Sequence, residues 1–286
     1  IRKQTAHEII KAKDEMLGLL KTVKIDGLSN NDDTLSQHFL RSFPERFGVR
    51  RQPDKKDILL ASGKGAILSE SSIVRSSNYI CALSLRPVRY QGHSVHMIDM
   101  AHEVDISQCQ IDEQVEYRWD QNAKRVQARL VNRYLDLVVS TSSAPTKPGS
   151  VECTEALARA AAQMPESAFG LTHHAEKTKF IRRYQWLSNK APFLDLPDLD
   201  FLKAGDEISA TLRLLCNGLT SFSELAKIDL VAYIRGLMGF NLSKQLDSLA
   251  PESLKLPDGT RKELSYIDDG SVVLATRFER LFGLDE

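Results

Sequence analysis

Residues 57–68 read DILLASGKGAIL, which is two short apolar runs joined by a glycine-rich turn. The runs at 57–61 and 66–68 have the length and composition of β-strands. The Ser-Gly-Lys-Gly between them predicts a hairpin turn, because glycine adopts a positive φ without a steric penalty. This stretch therefore predicts a β-hairpin, and it indicates the fold class of the region around it.

Further short strands are predicted downstream of the hairpin. Residues 79–85 alternate in polarity, and 93–98 predict another strand. Gly, Pro and Ser interrupt the apolar runs throughout 49–104. Several short strands at this spacing are typical of a small β barrel.

A second β unit is predicted after this region. Apolar residues alternate at 115–119 and at 126–130, with a turn at 120–123, and 135–139 predict a third strand. The following stretch, 140–150, is rich in Ser, Thr, Pro and Gly and predicts a linker.

Helical spacing of apolar residues predicts helices on both sides of the β region. Two precede it, at 3–24 and at about 34–43, where Pro44 ends the second. The C-terminal half predicts helices at 151–163, 176–189 and 206–217, a helix opened by a capping box at 221–224, and a last short helix from Asn241. A strand-turn-strand is then predicted at 255–267, with the turn at 257–259.

The composition is that of a globular protein. The 286 residues are 42% hydrophobic and 27% charged, with no formal net charge, which fits roughly two domains and no overall field for a polyanion. No apolar run reaches the length of about 20 residues that crosses a bilayer.

Four cysteines without CxxC spacing indicate buried thiols in a reducing compartment, and the polar start is unlike a signal peptide, so we expect a cytoplasmic protein. Because the chain begins at Ile1, we expect a piece of a larger protein.

No residue pattern for catalysis is found. A Walker phosphate loop needs G-x-x-x-x-G-K-[ST], whereas Gly65 stands at the hydroxyl position here and the upstream glycine is missing. No serine lies in a G-x-S-x-G elbow, and the carboxylates are scattered. We predict no catalytic residue in this chain, and we interpret 62–65 as a glycine turn.

The histidines form two groups that could hold a metal in principle. The first is His93, His96 and His102, and the second is His173 and His174 beside Glu176. Neither has the H-E-x-x-H spacing that places two imidazoles on one helix face. Surface or turn histidines are the better interpretation, so no metal site is predicted.

Charge is unevenly distributed along the chain. Between Arg41 and Gly92 there are ten basic and four acidic residues, a local net charge of +6 in a neutral chain. A small β barrel with a positive excess is typical of single-strand binding, although aromatic residues are sparse there. From charge alone, a solvated surface remains an equal alternative.

Several segments resemble the C-terminal part of the HrpB family of bacterial DExH-box ATP-dependent helicases. The tail carries Leu-Ala-Pro at 249–251, Leu-Pro-Asp-Gly at 256–259, Val-Leu-Ala at 273–275 and Leu-Phe-Gly-Leu at 281–284, with Leu254, Leu264, Tyr266 and Arg277. Upstream, Phe-Pro-Glu-Arg at 43–46, the run 60–68, Glu-Leu-Ala at 224–226 and Ile-Asp-Leu at 228–230 also resemble the family. The resemblance covers nearly the whole chain.

The resemblance implies an α+β multidomain architecture and a larger parent enzyme. In order, it implies the end of a helical bundle at 1–46, a small OB-like β barrel at 47–105, a β meander at 106–148, a mainly helical C-terminal region at 149–249 and a family-specific terminal β/α element at 250–286. ATP and Mg²⁺ would be bound upstream, by two RecA-like motor domains that contact this region in cis, and no cofactor is expected in this chain itself.

The leading hypothesis is a non-catalytic part of an ATP-dependent helicase that guides single-stranded RNA or DNA and braces the motor domains. The candidate contacts to phosphate are Arg50, Arg51, Lys64 and Arg86. One alternative is a protein-interaction or regulatory module that acts on the helicase ATPase. An independent hydrolase with a non-standard site is the third hypothesis. No membrane partner is expected.

Overall fold

The computed structural model describes residues 6–7, 9–11, 13–14, 32–53, 55–90 and 92–277. Two compact units are present. The first comprises Ile1–Glu113 with Asn132–Ser140, and the second comprises Gln114–Val131 with Thr141–Glu286. Most of the predicted helix at 3–24 lies outside the described residues, as does the Leu-Phe-Gly-Leu motif, and the described residues at 6–7, 9–11 and 13–14 are helical.

The first unit is built on a seven-stranded sheet that follows one helix. Helix α1 is Asp32–Ser42, which confirms the prediction at 34–43, and a 3-10 turn follows at Pro44–Arg46. The strands are β1 Phe47–Arg50, β2 Asp57–Leu60, β3 Gly65–Leu68, β4 Tyr79–Ala82, β5 Arg86–Tyr90, β6 His93–Ile98 and β7 Ala101–Glu103. Their order in the sheet is β5-β6-β3-β2-β1-β4-β7. The predicted hairpin is confirmed, since β2 and β3 are antiparallel and Gly63 in the turn has φ +76°.

Two apolar clusters cover the two faces of this sheet. The inner cluster draws on β2, β3, β4 and β6, and its buried members are Ile58, Leu60, Ala66, Leu68, Val74, Ile80, Ala82 and Ile98. The other cluster contains Leu40 of α1 with Phe47, Cys81, Val104, Tyr134 and Leu137. Because β1 and β4 are buried on both faces, their apolar residues do not follow the simple alternation expected of a half-exposed strand.

Hydrogen bonding leaves β5 and β7 at the two ends of the strand order, so the order alone does not describe a closed barrel. Only two residues connect β6 to β7, yet the two strands lie near opposite ends of the strand order. β6 is parallel to β3, and β7 is antiparallel to β4.

The predicted meander is a three-stranded sheet of order β10-β9-β8. Its strands are β8 Asp112–Asp120, β9 Arg125–Tyr134 and β10 Leu137–Ala144. The prediction for the third strand needs correction, because Leu135 has φ +52° in the turn and β10 continues to Ala144, inside the predicted linker. Ser and Thr suggested a loop by composition, but pairing with β9 satisfies the backbone of this segment.

Helices form most of the second unit. They are α2 Val151–Gln163, α3 Pro165–Ala168, α4 Ala175–Lys190, α5 Ala210–Cys216, α6 Phe222–Leu225 and α7 Leu230–Leu249. The terminal β element is the sheet β11 Ser253–Lys255, β12 Arg261–Tyr266 and β13 Val272–Leu274, which confirms the predicted strand-turn-strand. A single apolar core joins these helices to the meander through Val126 and to β12 through Tyr266.

Two predicted helix boundaries differ from the structure, whereas the helix predicted at the 221–224 capping box begins there, after Ser221. Helix α5 begins after Ser209, whose hydroxyl accepts from Leu212 N–H, rather than at 206. At the predicted capping box, Glu224 accepts from the N–H of Thr220 at 2.7 Å and from the Ser221 hydroxyl at 3.0 Å, so the carboxylate reaches one residue beyond the N-cap. The predicted last helix is the second half of α7, which is kinked at Gly239 with φ +70°.

An arginine-centred polar cluster ties α4 to α7 and the terminal sheet. Arg183 is 3% exposed and donates from Nε to the carbonyl oxygen of Ala250 at 2.7 Å. It also pairs with Asp247 at 2.8 Å and with Glu252. Arg235 holds both oxygens of Asp247 at 3.0 Å. Hydrogen bonds from Arg235, and then from Arg183, lower the pKa of Asp247 from its ordinary 3.8.

The lowered pKa of Asp247 predicts an acid-dependent contribution to stability. The folded state binds fewer protons than the unfolded state near this pKa, so the contribution is present above about pH 4 and is lost as pH falls through the folded pKa. Because the Asp247 side chain is 51% exposed, we expect Asp247→Asn to cost only about 0.5–1 kcal/mol at pH 7. Urea denaturation of both proteins should show this difference at pH 7 and little difference near pH 3. A difference of equal size at both values would contradict the assignment.

The predicted burial of the cysteine thiols is confirmed for three of the four. Cys81, Cys153 and Cys216 are buried, Cys109 is partly buried, and all four are free. Burial raises the pKa of Cys81 and of Cys216 to about 12, which keeps both as neutral thiols. Among the described helices, none is both long and apolar enough to cross a membrane.

Candidate nucleic-acid interface

Arg51 and the Lys64 turn lie close together at the surface of the first unit. Arg51 follows β1, and its N–H donates to Asp57 O at 3.0 Å. Its Nη2 lies 3.8 Å from where a Cβ on Gly65 would stand, so its side chain extends across β2 to the residue after Lys64. Arg51, Lys64 and Gly65 are all exposed. The structure therefore brings together two of the four predicted contact residues.

Arg86 shares a sheet face with Arg51, at the far end of one row of paired residues. Asp57 pairs with Ile67, Ile67 with Met97, and Met97 with Arg86. Directly paired residues project to the same face of a sheet. Arg51 lies beside Asp57 and so extends the row at the end opposite to Arg86. Four strand spacings separate the two arginines, or about 19 Å along the sheet. This face is opposite to the inner cluster, where Ile58 and Ala66 point.

Arg86 is neutralised by a neighbouring carboxylate. Its Nε and Nη2 donate to the two oxygens of Asp99 at 2.5 and 3.1 Å, which is a bidentate fork. This hydrogen bonding raises the pKa of Arg86. A phosphate would have to compete with Asp99 for the guanidinium, so Arg86 is a weaker candidate than Arg51.

Arg50 has a structural position instead of a surface one. It is 7% exposed and projects to the inner face of the sheet, next to Ile58 in the β1–β2 pairing. Its guanidinium donates to Ser77 O at 3.0 Å and to Lys55 O, which ties together the loops that follow β1 and precede β4. A buried guanidinium that is bonded to carbonyl oxygens is not accessible to a nucleic-acid strand. The prediction that Arg50 contacts phosphate is therefore corrected, and Arg50 has a structural role.

Five exposed cations of the basic stretch 41–92 are not among the predicted contacts. They are Arg41, Lys55, Lys56, Arg75 and Arg89. Lys56 is less suitable, because it pairs with Glu70 at 2.7 Å. Arg86 and Arg89 lie three residues apart on β5, so they face opposite sides of the sheet. The alternation of side chains along a strand could therefore have distinguished these two arginines.

The geometry gives the first unit no phosphate loop. Residues 61–64 connect two antiparallel strands, whereas a phosphate loop connects a strand to a helix N-terminus. The turn at 61–64 therefore does not fit the phosphates of ATP with Mg²⁺. Within the described ranges, no group of three or more His, Cys, Asp or Glu residues is arranged to hold a metal ion.

Comparison with known proteins points to one family. Residues 212–286 match the family model HrpB_C, described as ATP-dependent helicase C-terminal. The ATP-dependent RNA helicase HrpB of Escherichia coli is 24% identical over 277 residues, which are 93% of this chain and 33% of that protein. The crystal structure of the E. coli DExH-box NTPase HrpB matches with a TM-score of 0.43 and 22% identity, over 93% of this chain and 33% of that one. A second one, described as the E. coli DEAH/RHA helicase HrpB, has a TM-score of 0.42 and 21% identity, over 93% and 34%.

The family-model match and the sequence match to the E. coli helicase confirm the resemblance that the sequence motifs indicated. The chain spans about one third of the length of the relatives it matches. The family match covers α5 from Leu212 onward, both α6 and α7, and the terminal β element.

Proposed function

We propose, for a chain similar to the C-terminal region of the HrpB helicases, that it is the non-catalytic part of such a helicase and contacts single-stranded nucleic acid through its first unit. The observation that carries this proposal is the exposed basic surface formed by Arg51 and the Lys64 turn. The E. coli relative is described as an RNA helicase, so RNA is the substrate class that we favour.

An OB-like barrel in the first unit is part of this proposal. Strands β3 and β4 are separated by β2 and β1 in the sheet, whereas their outer neighbours β6 and β7 are joined by only two residues, so the sheet must curl. The consecutive strands β6 and β7 pair with β3 and β4 respectively, which brings the chain back to both sides of the curled sheet. In OB folds, the loop between the first two strands and the face of strands 2 and 3 bind oligonucleotides. Arg51 and Lys55 lie in the corresponding loop here, and Lys64 lies in the β2–β3 turn.

In this proposal, the ATP-dependent chemistry of the whole protein takes place outside this chain. ATP and Mg²⁺ would be bound by motor domains in cis, because the residues of this chain provide no phosphate loop. This region would guide the strand and brace those domains.

Replacing Arg51 and Lys64 together with alanine should weaken binding of a labelled single-stranded RNA by about tenfold in low salt. Removing cations from the phosphate backbone lowers affinity, and the slope of log K against log salt should fall in magnitude by about 0.7 for each lost contact. The measurement is fluorescence anisotropy of a labelled 12-mer at several salt concentrations.

The matched control is Lys255→Ala with Arg261→Ala, which removes two exposed cations from the terminal β element. This control should retain affinity within about twofold. Equal losses in both variants, or unchanged affinity and slope in the first, would overturn the proposed interface.

A further inference from the structure

The second unit contains a groove of about 540 Å³ beside the last turns of α4. The lining includes the helix stripe Gln185, Trp186, Asn189 and Lys190, and Leu202 and Ile267 add apolar side chains to it. The four helix positions have i, i+1, i+4 and i+5 spacing, so they form one side of the helix. The groove lies in a different unit from Arg51 and Lys64.

Trp186 is held rigidly in this groove. Its Nε1 donates to Gly270 O at 3.0 Å, and its ring meets the edge of Tyr266 with 5.2 Å between centroids and 64° between planes. Tyr266 is itself fixed by a hydrogen bond from its hydroxyl to Pro251 O at 2.8 Å. An aromatic ring held in this way loses little conformational entropy when a flat ligand stacks on it.

Charges around the groove favour a ligand with a single negative charge. Arg182 pairs with Asp268 at 3.1 Å, and Lys203 pairs with Asp198 at 2.6 Å. Lys190 is exposed, and it is the one groove-lining cation without an ion pair within the described part of the chain. A phosphodiester carries one charge per nucleotide, whereas a nucleoside triphosphate would bring several charges to one ammonium group.

Gln185 and Asn189 supply hydrogen-bonding groups next to the ring. Both are exposed, and each amide offers a donor and an acceptor. Residues i and i+4 on a helix have Cβ atoms about 5–6 Å apart, so the two amides can form hydrogen bonds with the same planar ligand. A nucleobase has adjacent donors and acceptors on its edge and a flat π surface, which matches amides beside an indole.

We propose that this groove binds one or two nucleotides of a single strand, with a base on Trp186, base edges at Gln185 and Asn189, and a phosphate at Lys190. This inference rests on the proposed function, that the chain binds single-stranded nucleic acid, and adds a second contact in the helical unit. Two contact points on one chain raise the effective concentration of the strand at each of them.

Fluorescence of Trp186 tests the groove directly. The chain has two tryptophans, so Trp119→Phe leaves Trp186 as the single reporter. Titrating this 286-residue protein with the RNA 12-mer U12 should quench the emission to saturation, and UMP should quench it with an affinity at least tenfold weaker. In the unmodified chain, Trp186→Phe should remove the same component of quenching, so the test does not depend on Trp119→Phe folding well.

Lys190→Glu should weaken the U12-dependent quenching about tenfold, whereas Lys244→Glu, the same charge change at an exposed position outside the groove, should change it less than twofold. The groove is excluded if U12 quenches no Trp186 emission up to about 1 mM, if only UMP does so, or if both lysine variants lose the same affinity. Arg51→Ala with Lys64→Ala should leave quenching by UMP intact. Failure of the first-unit interface and failure of the groove are therefore separate outcomes.

Discussion

Replacing Arg183 with alanine should lower the free energy of unfolding of the second unit by about 3 kcal/mol. Arg183 is 3% exposed, and its guanidinium meets Asp247, Glu252 and the carbonyl oxygen of Ala250. Alanine would leave that carbonyl and the Glu252 carboxylate without this donor, would remove one of the two arginines bound to Asp247, and would open a cavity between α4 and the terminal sheet.

The partners of Arg183 limit the size of this effect. Asp247 and Glu252 have side chains that are 51% and 70% exposed, so water can solvate them after the substitution. Asp247 also keeps its two bonds from Arg235. We therefore expect a loss at the lower end of the range of about 3–5 kcal/mol known for broken buried pairs.

Urea denaturation followed by tryptophan fluorescence measures this loss, because Trp119 and Trp186 both belong to the second unit. The control is the adjacent Arg182→Ala, which removes an arginine that is 45% exposed and pairs with an exposed carboxylate of Asp268. Its cost should stay below about 1 kcal/mol. Similar losses in the free energy of unfolding for the two variants would show that the burial of Arg183 adds nothing to stability.

Gly48→Val should destabilise the first unit by about 3 kcal/mol. A Cβ at position 48 would lie 2.6 Å from Ile58 Cγ2, 3.1 Å from Leu60 Cδ2 and 3.4 Å from Ile80 Cγ1. The Ile58 methyl is a branch on a stiff β-carbon, so relief requires the backbones of β1 and β2 to separate. Valine adds two more methyl groups to a space that is already filled.

Hydrogen exchange measured by mass spectrometry localises the effect of Gly48→Val. Peptides from 47–98 should exchange faster, while peptides from 151–249 should be unchanged. Gly65→Val is the matched control, since Gly65 begins β3 of the same sheet, and the nearest atom to an added Cβ, apart from its chain neighbours, is Arg51 Nη2 at 3.8 Å. Faster exchange of 47–98 in both variants would contradict the argument from close packing.

Much of the secondary structure could be predicted from the sequence, because periodicity depends on neighbours in the chain. The helix at 151–163 was predicted with its observed ends, and the turn at 62–65 was identified from its glycines. Strand β1 was missed, since Phe47–Arg50 is too short to show a period and is buried on both faces. Strand β5 was missed because its residues, RPVRY, are mostly polar and contain a proline at a sheet edge.

The candidate site was predicted less well. Arg50 and Arg51 are adjacent in sequence, yet one is buried among backbone carbonyls and the other is exposed, because successive side chains of a strand project to opposite faces. Choosing between them requires knowing which face of β1 is the inner one, and that depends on the strands that pair with it.

Local patterns in the sequence were thus sufficient for most helices, most strands and the family resemblance, since these depend on residue order alone. Tertiary structure alone decided which cations remain available: Asp99 neutralises Arg86 from 13 residues away, and Asp268 neutralises Arg182 from 86 residues away. It also formed the groove at Trp186, whose lining comes from α4, from residues 197–203 and from the turn before β13. Ion pairs and grooves join residues that are distant in the chain, and their distances are set by strand order and helix packing, which no local periodicity specifies.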